Sequence, residues 1–78
     1  MLTNMKLYRM RVGISQKALG AMLKPPIPQP FVSAIENGKK KTTYRRLREI
    51  AGKLEWNGDP RELQREYKGD VSNVSEED

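Results

Sequence analysis

Apolar residues recur along the chain at three- and four-residue steps rather than in alternation, and glycine or proline ends most of the periodic stretches, so the pattern predicts short helices and no strand. Thr3 or Asn4 can cap a first helix with Leu7 and Met10 on its apolar side, Met5 or Val12 at the edges, and Gly13 as its stop. Ser15 caps a second, whose inner face is Ala18, Leu19, Met22 and Leu23 and which ends near Lys24. A third turns Val32 and Ile35 inward, with Gln29, Ser33 and Asn37 near one outward face, and Gly38 ends it in a left-handed turn. Thr42 or Thr43 caps a fourth, in which Leu47, Ile50, Ala51 and Leu54 form an i, i+3, i+4, i+7 stripe. Asp59-Pro60-Arg61-Glu62 combines an acidic cap, a proline at the first helical position and Glu at the third, which predicts a short fifth helix containing Leu63 and Tyr67. The expected architecture is an all-α domain of five helices over residues 1–68. A polar, acidic tail over 69–78 is expected to be disordered.

Between the second and third helices, "KPPIPQP" holds four of the five prolines. Pro25 and Pro26 stop a helix by removing N–H donors and pushing the preceding residues toward extended backbone, so the segment is a turn. Pro28 and Pro30 suit the first turn of the next helix, where an N–H has no intrahelical partner. A proline-rich peptide ligand is the rival reading, but such ligands sit in open tails rather than between amphipathic helices.

Composition narrows the chemistry. With no Cys and no His, the chain has no disulfide, no thiolate or imidazole metal ligand and no histidine base, so no metal or other cofactor is expected. No apolar run approaches the roughly 20 residues of a membrane span, and the first residues lack the apolar region of a secretory signal, which suggests a cytoplasmic protein. Charge is split along the chain. Residues 1–54 carry twelve Lys/Arg against Glu36 and Glu49, a net +10, whereas residues 55–78 carry three against eight acids, a net −5. A basic body of this kind suits a polyanion, since clustered Lys and Arg release counterions from phosphates. Nothing suggests an enzyme: Ser, Thr, Lys and Glu are scattered, and Gly38-Lys39 lacks the earlier glycine and the following hydroxyl of a phosphate loop.

The run "GISQKALGAML" followed by "FVSAIENGKKK" resembles the Cro/C1-type (Xre-like) helix-turn-helix family of DNA-binding regulators, over about residues 7–54. Ser15-Gln16, Leu19, Ser33 and Ile35-Glu36-Asn37-Gly38-Lys39 carry the resemblance. Two features depart from the family pattern: Gly20 stands where alanine is usual, and the turn is longer and proline-rich. The resemblance implies a compact five-helix, lambda-repressor-like domain that lays its third helix in the major groove of double-stranded DNA. Gln29, Pro30, Ser33 and Ala34 would then read base edges. Gln16, Lys17, Asn37, Lys39, Lys40, Lys41 and Tyr44 would meet the sugar-phosphate backbone, Gln16 also supporting Gln29.

Glu36, which would repel phosphates if exposed, is expected to pair with Arg9 as a structural link between helices one and three. Phe31 is expected to wedge under the long turn as core, with contact to a thymine methyl as its alternative. One short recognition helix reads few base pairs, so a homodimer on a palindromic operator is expected, joined through Leu54, Trp56, Leu63 and Tyr67. The functional expectation is a repressor of phage, plasmid or bacterial type. The alternatives are an antitoxin whose acidic tail binds a protein partner, or an interaction module without DNA.

Overall fold

Hydroxyl side chains start three of the helices. Thr3, Ser15 and Thr43 sit in extended backbone, and their side-chain oxygens accept from the N–H groups of Lys6, Ala18 and Arg46. The computed structural model describes residues 2–68, in which these caps open α1 (Asn4–Val12), α2 (Gln16–Met22) and α4 (Tyr44–Leu54). Between them α3 (Gln29–Glu36) starts at Pro28 with no side-chain cap and takes Pro30 into its first turn. Gly13 and Gly38 leave α1 and α3 with φ of 85° and 73°, the left-handed backbone that glycine adopts without Cβ strain. The chain's acidic tail, 69–78, lies outside the described residues.

The interior is one cluster: Met5, Leu19, Leu23, Val32, Ile35, Leu47, Ile50, Ala51, Leu54 and Leu63, with Tyr8, Ile14, Ile27 and Trp56 packed against it. In α4 the whole expected stripe is buried. In α1 the expected face is wrong: Met10 is 57% exposed and Met5 is wholly buried. The cause is that the inner side of α1 is partly polar. Thr3 and Arg9 point inward toward Glu36, so the helix shows no continuous apolar stripe to read. Met22 likewise faces out, and α2 ends there rather than at Lys24.

The fifth helix is a correction. Asp59 does cap, accepting from Arg61 N–H, but the residues it caps form a single 3-10 turn, Pro60–Glu62. After it the chain runs antiparallel to its own beginning. Met5 N–H donates to Leu63 O (2.9 Å), Asn4 N–H to Arg65 O (2.9 Å) and Tyr67 N–H to Leu2 O (2.7 Å), with a bridge between Thr3 and Glu66. The first donors of a helix have no acceptor within it. Here the carbonyls of residues 63 and 65 accept from two of them; Leu63 keeps helical backbone and Arg65 N–H donates to Glu62 O (3.1 Å), but the chain then pairs with residues 2–3 instead of continuing a helix.

The proline turn, which contains a cis Lys24–Pro25 bond, is pinned from both sides. Lys24 N–H donates to Glu49 Oε2 (2.6 Å) and Arg46 Nη1 to Pro25 O (2.9 Å), which ties it to α4. On the α2 side, Ile27 N–H donates to Gly20 O (3.1 Å). Gly20 is buried, and a Cβ there would collide with the Ile27 carbonyl oxygen and lie 3.0 Å from Val32 Cγ2. The missing side chain and the long turn are thus one adaptation: the turn folds back onto the space that alanine would fill.

Candidate nucleic-acid interface

Glu36 organises the surface formed by α2 and α3. Its side chain is 0% exposed and Arg9's is 13%, and Arg9 Nε donates to Oε2 at 2.5 Å while Nη2 donates to Oε1 at 3.2 Å. The remaining guanidinium nitrogen donates to Ile14 O (2.8 Å), and Thr3 Oγ1 donates to the Glu36 carbonyl (2.6 Å). Paired charge and hydrogen bonds on both oxygens compensate the cost of burying the carboxylate. Glu36 Oε1 also accepts from Gln16 Nε2 (2.7 Å), and Gln16 Oε1 accepts in turn from Gln29 Nε2 (3.3 Å). A chain of hydrogen bonds therefore runs from Arg9 through Glu36 and Gln16 to Gln29 at the exposed front of α3. Gln16, expected on a phosphate and in support of Gln29, is half-buried and links Glu36 to Gln29 through its amide, with a second Nε2–H beyond the one given to Glu36.

Along the outer side of α3, Gln29 and Pro30 are exposed and Ser33 and Ala34 half-buried. Asn37, the C-cap, places Nδ2 3.5 Å from Ser33 Oγ. The loop beyond wraps back onto the helix: Lys39 and Lys40 N–H groups both donate to Ala34 O, at 2.9 and 3.2 Å. Lys39, Lys40 and Lys41 are exposed, as are Lys17 on α2 and Tyr44 at the start of α4. Gln64, which no local pattern marks, holds this loop from the far end of the chain. Its Nε2 donates to Ile35 O (3.0 Å) and Lys40 O (2.8 Å).

Two exposed aromatics are covered by cations. Lys40 Nζ lies 5.0 Å from the Phe31 ring centre, and the Arg61 guanidinium lies 5.7 Å from that of Tyr44. Phe31, expected in the core, is 47% exposed, and the apolar residue of this region packed against the core is Ile27, within the turn itself. Hydrogen bonds from the Arg61 side chain and N–H hold the Asp59 carboxyl below the usual carboxylate range, and Asp59 raises Arg61 in return.

A helix-turn-helix family model matches residues 5–55, a span that covers α2, the proline turn and α3 together with most of α1 and all of α4. The chain belongs to the helix-turn-helix family of DNA-binding regulators. No curated protein and no solved structure gave a match. In this helix-turn-helix domain, among the described residues, no cluster of three or more His, Cys, Asp or Glu is placed to hold a metal, and no helix is long and apolar enough to cross a membrane.

The expected dimer residues fall into two groups. Leu54 and Leu63 are wholly buried in the monomer, where they complete its core, so they are withdrawn as interface contacts. Trp56 and Tyr67 are half-buried and line one cleft of about 670 Å³ with Asn4, Tyr8, Glu62, Arg65, Glu66 and Lys68. Tyr8 and Trp56 meet there edge to face at 4.9 Å.

Proposed function

We propose that this helix-turn-helix protein is a sequence-specific transcriptional repressor that binds a palindromic operator as a homodimer in the cytoplasm. One observation carries the reading: before Glu49 the only carboxylate in the chain is Glu36, and Glu36 is wholly buried and paired. The outer surface of α1, α2, α3 and the lysine loop consequently carries cations and no acidic side chain, which suits a polyphosphate laid across it. Within that surface Gln29, Pro30, Ser33 and Ala34 read base edges, Gln29 by presenting its amide to adenine. Lys17, Asn37, Lys39, Lys40, Lys41 and Tyr44 meet phosphates and set the register. Trp56 and Tyr67 supply the aromatic anchors of the two-fold contact, and pairing two recognition helices gives the site length that one helix lacks.

The test is selection of bound duplexes from a random pool, followed by titration of the recovered sequence and a scrambled one at several salt concentrations. A two-fold symmetric consensus is expected, with affinity that falls steeply as salt rises. Equal affinity for recovered and scrambled duplexes would refute sequence-specific binding.

A further inference from the structure

Phe31 is the largest side chain on α3, yet it lies outside the core, 47% exposed, while its neighbours Val32 and Ile35 are buried. An exposed apolar residue alone means little. Its position is more informative. At about 100° per residue, Phe31 stands roughly 200° around α3 from Gln29, with Pro30 and Ala34 between them. The exposed arc of the helix is thus bounded by an amide on one side and a phenyl ring on the other. The amide is held by Gln16. The ring is flanked by the lysine loop, which is fixed to Ala34 O through the Lys40 N–H, and the Lys40 ammonium sits 5.0 Å from the ring centre.

Resting on the DNA-binding reading of α3, we propose that Phe31 is a specificity-determining residue that reads thymine through its C5 methyl group, with Lys40 taking the adjacent phosphate. A phenyl ring has no conventional donor or acceptor. Among the base-edge features of the major groove, the thymine methyl is the one that gains from apolar contact. Against any other base edge at that position the ring would desolvate a polar atom without giving it a partner, which discriminates by exclusion as well as by attraction. The cation over the ring suits this placement, because it brings a positive charge beside the base contact, where the phosphate backbone rims the groove.

Uracil lacks only the methyl group, so duplexes recovered by selection are remade with each thymine replaced singly by uracil and titrated by fluorescence anisotropy. Wild-type protein should lose about fourfold in affinity at one thymine in each half-site, the equivalent of one buried methyl group. Phe31→Ala should bind the thymine duplex more weakly and show no thymine–uracil difference at that position, while Phe31→Leu should retain most of it. Thermal melts of both variants establish that they are folded. A wild type indifferent to uracil at every thymine would overturn the proposal, as would a Phe31→Ala variant that stays as sensitive as wild type. If the ring only positions Lys40, Phe31→Ala flattens the salt dependence with sequence preference unchanged, and the proposal falls while the DNA-binding reading stands. Failure to retain any duplex overturns both.

Discussion

Replacing Gly20 by alanine should destabilise the protein, against the usual sign for that exchange inside a helix. In an open helix interior, glycine to alanine gains about 0.5–1 kcal/mol because the unfolded chain has less backbone freedom to lose. At Gly20 the new Cβ would strike the carbonyl oxygen of Ile27 and crowd Val32 Cγ2 at 3.0 Å. A backbone atom cannot rotate away as a flexible side-chain end can, so the turn itself must move, and the 3.1 Å bond from Ile27 N–H to Gly20 O weakens with it. Overpacking costs about 1–3 kcal/mol. The weakened hydrogen bond adds up to about 1 kcal/mol, and after the propensity gain of about 0.5–1 kcal/mol the net loss lies between about 0 and 3.5 kcal/mol, centred near 2. Gly52 supplies the control, since nothing lies within 4 Å of a Cβ built there in α4. Gly52→Ala should stabilise by about 0.5–1 kcal/mol. In a domain of this size about 1 kcal/mol moves Tm by roughly 4–8 °C, so melts followed by circular dichroism resolve opposite signs. If Gly20→Ala melts at or above the wild-type temperature, the close seating of the proline turn on α2 is refuted.

Three further outcomes are expected. Gln29→Ala should cost about 1–3 kcal/mol on the selected duplex and relax its sequence preference, whereas Lys41→Ala should weaken every duplex alike and reduce the salt slope by about one; identical behaviour in parallel titrations would show that α3 is misregistered. Glu36→Gln should lower stability in urea unfolding by about 3 kcal/mol, near the low end for a broken buried pair because Arg9 keeps 13% exposure, and a midpoint unchanged from wild type would exclude a stabilising pair. Tyr67→Asp should shift sedimentation toward monomer with the fold intact, and a wild type that remains monomeric at high concentration with and without its duplex would exclude the homodimer.

The parts of the fold that were legible in the sequence are those in which one local cause acts. Ser15 and Thr43 cap the helices they precede, the α4 stripe is continuous, and Gly13 and Gly38 adopt the turns that glycine permits. Readings failed where a distant segment decided the outcome. Met5 displaces Met10 because α1 turns an arginine toward a glutamate 27 residues away. The fifth helix gives way to a turn that pairs with the start of α1, whose N–H groups take the carbonyls of Leu63 and Arg65, a partnership with no signal within 59–67. At the candidate site, the motif brought Gln16, Gln29 and Glu36 to notice, but neither the direction of their hydrogen bonds nor the part played by Gln64 has any local signature. The long turn calls for an apolar anchor, which points to Phe31 from sequence; in the structure Ile27, within the turn itself, packs against the core and Phe31 is exposed.

The antiparallel clasp between residues 2–5 and 63–67 separates two boundaries that are easily taken as one. The family match stops at residue 55. A fragment trimmed to that match would keep α2, α3 and α4, but it would lose Thr3 from the cap of α1 and Leu63 from the core. It would also lose Gln64, the bracket between the end of α3 and the lysine loop. The stretch that carries the proposed recognition surface is therefore shorter than the stretch that holds it in shape, and residues 2–5 and 63–67 are structural parts of a proposed reading head that neither of them forms.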